Sequence, residues 1–168
     1  MNSKITFENL GLNEIILKAI KRKGFENPSE IQAKIIPLML ENKHDIVGIS
    51  QTGSGKTASF GLPLIQTIKP NNKIPKVLIL TPTRELAIQV TKDLESYAKP
   101  NMKTEQTHIF LTVYGGTAMK YQVDKLDQGV DIVVGTPGRV IDLIDKGILT
   151  VSYTHLRAHE TLMNLVCR

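Results

Sequence analysis

The run Ser50-Gln51-Thr52-Gly53-Ser54-Gly55-Lys56-Thr57 joins two segments of different periodicity. Before it, Asp45-Ile46-Val47-Gly48-Ile49 reads as a short buried strand; after it, Ala58, Phe60 and Leu62 fall at helical spacing. A glycine-rich turn between a strand and a helix N-terminus is the context a phosphate-cradling loop requires. Gly53 and Gly55 let the backbone curl so that successive N–H groups point at phosphate oxygens, and the helix dipole adds partial positive charge. Lys56 can reach the β- and γ-phosphates, and Thr57 offers a hydroxyl to Mg²⁺. The strict pattern begins with Gly, and Ser50 stands in that place. A flexible Gly/Ser loop is the bland alternative, and the strand-before, helix-after context argues against it.

Working outward, strand-like and helix-like runs alternate. Asn13 caps an expected helix with the apolar face Ile15, Ile16, Ala19 and Ile20, closed by Gly24. A second helix is expected from Asn27-Pro28, with proline in the first helical position. Val77 to Thr81, His108 to Val113 and Asp131 to Gly135 join Asp45 to Ile49 as four β-like runs. A helix is expected from Thr83 to about Tyr97, and an amphipathic segment carries Val140, Ile141, Leu143 and Ile144. This alternation predicts an α/β fold, a parallel sheet flanked by helices. No internal repeat or coiled-coil register is present.

The bulk properties bound the function. A chain of 168 residues, 41% hydrophobic and 22% charged, suits one soluble domain with a real core. The longest apolar run, Ile35 to Leu40, is too short for a bilayer span, so no membrane partner is expected. Met1 to Leu10 lacks a secretory layout, and the lone Cys167 excludes an internal disulfide framework. Both features predict a cytoplasmic protein, and a monomer is expected. A net charge of +5 favours a polyanionic partner such as nucleic acid.

Five elements occur in a fixed order across residues 7 to 139. Gly24-Phe25-Glu26-Asn27-Pro28-Ser29-Glu30-Ile31-Gln32, with the lone aromatic Phe7 upstream, resembles the Q motif of DEAD-box RNA helicases. The phosphate loop follows. Pro82-Thr83-Arg84-Glu85-Leu86-Ala87 resembles motif Ia of that family, Gly115-Gly116 its GG element, and Thr136-Pro137-Gly138-Arg139 its motif Ib. Singly each has an ordinary reading: a capped first turn at Arg84, a tight turn at Gly115-Gly116, a strand-to-helix turn at Thr136. Together, and in order, they are specific.

The resemblance implies a RecA-like P-loop NTPase fold and an ATP-dependent RNA helicase, with ATP and Mg²⁺ as cofactors. It assigns ATP binding to Phe7, Phe25, Gln32 and Ser50 through Thr57, catalytic roles to Lys56 and Thr57, and the metal to Thr57. The amide of Gln32 can bond bidentately to the N6 and N7 edge of adenine, and guanine would oppose its carbonyl with an acceptor. A helix-surface glutamine and two core phenylalanines are the bland alternative. Pro82, Thr83, Arg84, Gly115, Gly116, Thr136, Pro137, Gly138 and Arg139 are assigned to single-stranded or duplex RNA, held by its backbone. Following strands of a parallel sheet, these loops are expected to gather at its carboxyl edge. Such contacts carry no base information, so sequence-independent binding is expected, with Arg139 supplying one phosphate contact.

The resembled family continues with a strand ending in Asp-Glu-Ala-Asp, and no Asp-Glu pair occurs in this sequence. The family's Ser-Ala-Thr motif and second RecA-like domain are likewise not found. His108, Asp131 and Asp142 are expected in core or surface roles. From Thr150 to Arg168 there is no Lys and no Ile, although the preceding 149 residues hold all 16 Lys and all 19 Ile. That break sets the expected organisation: 1–40 a Q-motif helical region, 41–149 a partial RecA-like ATP-binding domain, incomplete on its C-terminal side, and 150–168 a tail foreign to the family and attributable to a sequence artefact. A sheet lacking its inner strand is expected to leave unpaired edges and exposed apolar surface, favouring aggregation. The alternatives are a non-catalytic nucleotide- or RNA-binding fragment, or another P-loop enzyme such as a DNA helicase of the same superfamily or a nucleotide kinase.

Overall fold

Three parallel strands whose side chains point alternately into two cores organise the molecule. A computed structural model describes residues 5–43, 45–70, 73–98, 109–150, 155–159 and 164–167, the last two segments as backbone. A 3₁₀ turn, Phe7–Leu10, precedes α1 (Glu14–Arg22), α2 (Glu30–Glu41), β1 (Ile46–Gly48), α3 (Lys56–Thr67), β2 (Val77–Leu80) and α4 (Arg84–Ala98). Then come β3 (Phe110–Val113), α5 (Met119–Asp127), β4 (Ile132–Gly135), α6 (Pro137–Asp145), β5 (His155–His159) and β6 (Asn164–Cys167). His108, the expected start of the third strand, lies outside the described residues.

The sheet runs β1-β6-β5-β2-β4-β3. Strand β4 pairs in parallel with β2 and with β3, so Val77 and Phe110 both register with Ile132. Side chains alternate across the strands. Val77, Ile79, Ile132 and Val134 enter one core with Phe60, Leu62, Val90 and Leu94 of α3 and α4. Leu78, Leu111, Val113 and Val133 enter the other with Leu126, Val140 and Leu143 of α5 and α6. Helices on both faces explain why these strands read as continuous apolar runs.

The structure corrects four expectations. Ile15 is 63% exposed, and the buried stripe of α1 is Ile16, Ala19 and Ile20; an apolar residue one place off the stripe turns by about 100° to solvent. The cap of α2 is Ser29, one residue after Pro28, because its hydroxyl can accept the N–H of Gln32. Val47 and Ile49 are exposed, so β1 is covered on one face only. The anticipated gap beside β1 is occupied: β5 pairs in parallel with β2, and β6 runs antiparallel to both β5 and β1. Val47 and Ile49 are among the exposed large hydrophobics of the described residues. No helix among the described residues is long and apolar enough to cross a membrane.

Gly135 ends β4 where the sheet meets its loops. A Cβ there would lie 2.6 Å from the carbonyl oxygen of Val113 and 2.8 Å from Val140 Cγ2. Backbone cannot give way as a side-chain tip does, so Gly135→Ala should lower unfolding stability by about 1–3 kcal/mol in urea titrations. An unchanged midpoint would contradict this packing.

Candidate functional site

The phosphate loop is fastened to the start of α2. Ser29 and Gln32 form a capping box, with Ser29 N–H donating to Gln32 Oε1 at 3.0 Å and Gln32 N–H donating to Ser29 Oγ at 3.5 Å. The same two side chains then reach across to the loop. Ser29 Oγ donates to the Ser54 carbonyl at 2.7 Å, and Gln32 Nε2 donates to the Gly55 carbonyl at 3.2 Å. Gln32 is only 6% exposed, so it is no surface glutamine. Gly55 has φ +86°, and a Cβ there would overlap the Gln32 amide. Two constraints thus demand glycine at this one position.

Lys56 is almost wholly buried, and its ammonium is held by loop carbonyls. Nζ donates to Ser50 O at 2.9 Å and to Gln51 O at 2.7 Å. Ser50 and Ser54 share a hydroxyl hydrogen bond of 2.6 Å across the loop, so the serine in the first motif position helps to close the turn. The first helical bond of α3 runs from Ser59 N–H to Gly55 O, which leaves the amides of Lys56, Thr57 and Ala58 ahead of the ladder. Amides, ammonium and dipole converge, and this arrangement suits a phosphate. A bound phosphate would give Lys56 anionic oxygens in place of neutral carbonyls, a stronger charge-assisted bond. Thr57, the residue expected to offer its hydroxyl to Mg²⁺, lies half-buried in the first turn of α3.

Beside the loop lies a cleft of about 460 Å³ lined by Ser29, Glu30, Ile31, Lys34, Ile49 and Gln51 among others. Lys34 Nζ sits 2.7 Å from Glu30, and that hydrogen bond and charge hold the Glu30 carboxyl below its usual range. A second cavity of about 330 Å³ is lined by Phe7, Lys21, Gly24, Phe25 and Glu26 among others. Phe7 is buried in the core, while Phe25 is partly buried with its ring centroid 6.4 Å from that of Tyr97.

The three remaining loops meet at one edge, as their parallel strands require. Thr81 N–H donates to Gly135 O, and Thr136 N–H donates to Val113 O. Thr81 Oγ1 donates to the Thr83 carbonyl, and Thr83 Oγ1 accepts the Leu86 N–H in the first turn of α4. Pro82, Thr83, Arg84, Gly115, Gly116, Pro137 and Gly138 are exposed, whereas Thr136 is half-buried. Arg139, expected to supply one phosphate contact, is held by internal partners in this structure. Its side chain is 12% exposed and donates to Thr117 O and to Gln122 Oε1, with Asp142 3.8 Å away. Arg84 keeps its exposure, its guanidinium carbon 4.7 Å from the centre of the Tyr114 ring. Asp131 is fully buried and accepts the Ile109 N–H, and Asp142 pairs with Lys146 at 2.7 Å. Both therefore hold the structural roles expected of them.

The family model of the DEAD/DEAH box helicases matches residues 29–160. The chain belongs to that family. It is 49% identical, over 90% of its length, to the ATP-dependent RNA helicase DeaD of Haemophilus influenzae, covering 24% of that protein. It is 44% identical to the DEAD-box ATP-dependent RNA helicase CshA of Geobacillus kaustophilus, over 89% of this chain and 31% of the relative. Among solved structures it resembles a DEAD box protein from the hyperthermophile Methanococcus jannaschii, with TM-score 0.79 and 47% identity over 86% of this chain and 38% of the other. It also resembles Saccharomyces cerevisiae Dbp5 bound to RNA and ADP BeF3, with TM-score 0.71 and 28% identity over 88% and 36% of the two chains. This chain thus spans about a quarter to a third of the length of the curated relatives named here.

Sequence reasoning missed Ser29, Gln122 and Tyr114. The spacing of Ser29 three residues before Gln32 is a capping-box signal and could have found the first. Truncating Gln32 leaves the Ser29 N–H without its partner and removes the tie to the Gly55 carbonyl, which keeps only the Ser59 N–H. Gln32→Ala should therefore cost about 1–3 kcal/mol in chemical denaturation, besides narrowing any preference for ATP over GTP. An unaltered denaturation midpoint would refute the bridge.

Proposed function

We propose that this chain forms one wall of an ATP site and part of an RNA groove, as a component of an ATP-dependent RNA helicase. The parent protein couples ATP binding and hydrolysis to separation of RNA strands. What carries the reading is a single juxtaposition: Ser29 and Gln32 clasp the phosphate loop, and β1 runs in the same direction as β2. The nucleotide loop and the loops at 82–84, 114–117 and 136–139 therefore leave the sheet at one carboxyl edge, where such folds bind ligands.

The division of labour follows from the chemistry. Lys56 and the first amides of α3 bind the phosphates, Thr57 holds Mg²⁺, and Gln32 reads adenine once it exchanges its internal partners for the base. Phe7 and Phe25 pack near the base. Thr83, Arg84, the Gly115-Gly116 turn and Thr136 through Gly138 face the sugar-phosphate backbone, which gives sequence-independent affinity. The sequence contains no Asp-Glu pair to hold Mg²⁺ from the other side and to place the attacking water. That observation favours a second reading for the chain by itself, a nucleotide- and RNA-binding module without turnover.

Calorimetric titration of Mg-ATP tests the nucleotide site. Lys56→Ala should weaken binding about tenfold to a hundredfold, the value of a charge-assisted bond. Equal affinity of the variant and the parent chain would remove the phosphate-loop assignment.

A further inference from the structure

We infer that Tyr114 is a positioning residue that holds Arg84 toward the RNA backbone, and that Gln122 with Arg139 fixes the turn on which Tyr114 rides. The inference rests on the RNA-binding reading above. Arg84 is exposed at the start of α4, and a free arginine there would sample many rotamers. Its guanidinium instead lies over the half-buried Tyr114 ring, at 4.7 Å from the centroid. A guanidinium held over a ring is ordered by the ring's quadrupole and still has N–H donors for anionic oxygens.

Tyr114 itself is anchored from below. Its carbonyl accepts from Gln122 Nε2 at 3.2 Å and from Thr117 Oγ1 at 3.2 Å. Gln122 is 2% exposed and also donates to Thr117 Oγ1 at 2.6 Å, while its Oε1 accepts from Arg139 Nη1 at 3.1 Å. Both terminal nitrogens of Arg139 donate to the Thr117 carbonyl, at 3.3 and 3.4 Å. Gly116, with φ +83°, lets the chain turn back between these anchors. The two arginines of the edge therefore have different work. Arg139 is a part-buried strut, and Arg84 is the phosphate-facing cation. Its partner ring makes the contact stronger by ordering the guanidinium beforehand.

A double-mutant cycle on the 168-residue chain, read by anisotropy of a fluorescein-labelled oligouridine at several salt concentrations, tests this. Arg84→Ala should weaken binding and flatten the salt slope by about one unit. Tyr114→Leu should weaken it about twofold to fivefold with the slope retained, the worth of one exposed cation–π contact. Tyr114→Phe, which keeps the ring, should bind as the parent does, and Tyr114→Leu should add nothing once Arg84→Ala is present. Equal losses from Tyr114→Leu with and without Arg84 would overturn the inference and point to a direct contact of the ring with RNA. So would a Phe variant as weak as the Leu variant. Arg84→Ala with unchanged affinity and slope would instead overturn the RNA reading beneath it. Melting curves identify a Leu variant that fails to fold. Arg84→Lys then carries the test, since it keeps the charge but not the planar stack and should weaken binding about twofold to fivefold. Unchanged affinity there would count equally against the inference.

Discussion

Parallel pairing of β4 with both β2 and β3 is the constraint on which the site depends. The registers Val77↔Ile132 and Phe110↔Ile132 fix where each strand ends, so Thr81, Tyr114 and Thr136 emerge side by side. Parallel strands need both faces covered, and the two cores supply that cover from α3 and α4 on one side and α5 and α6 on the other. Slipping one strand by a residue would exchange its two faces and scatter the loops. The polar groups at the edge inherit their placement from this apolar interior. Function here is a property of where strands stop.

At that edge, buried polar bonds do the fine placement. The clasp of Ser29 and Gln32 on Ser54 and Gly55 makes the nucleotide loop and the segment before it one unit. The Gln122–Arg139–Thr117 set does the same for the turn after β3. Each set satisfies its donors and acceptors internally, which keeps a half-buried loop from costing unpaired polar groups. On the proposed reading, binding a nucleotide would exchange partners: Lys56 would leave carbonyls for phosphate oxygens, and Gln32 its cap for a base edge.

Much of this was legible in the sequence because it is local. The strands at 77–80 and 132–135 announce themselves as unbroken apolar runs, since both faces are buried. The glycines at 53 and 55 mark positive φ, at +75° and +86°, and Asn13 caps α1 by accepting the Ile16 N–H, as its residue type predicts. What was illegible is set by distance in the chain. Arg139 has the residue type of a phosphate ligand, yet its partners at 117 and 122 lie 22 and 17 positions away. The short segments 155–159 and 164–167 carry no Ile and little strand signal, yet their backbones complete ladders with β2 and β1. Backbone hydrogen bonds are indifferent to composition, so a composition break cannot report them.

The central proposal is an ATP and RNA site on a chain whose sequence holds no Asp-Glu pair. Phosphate release from Mg-ATP by the purified chain, with and without saturating RNA, tests it most directly. The account predicts saturable Mg-ATP binding and no RNA-stimulated release above the protein-free rate. RNA-stimulated release that disappears in Lys56→Ala would contradict it, because another group of this chain would then have to be activating the attacking water.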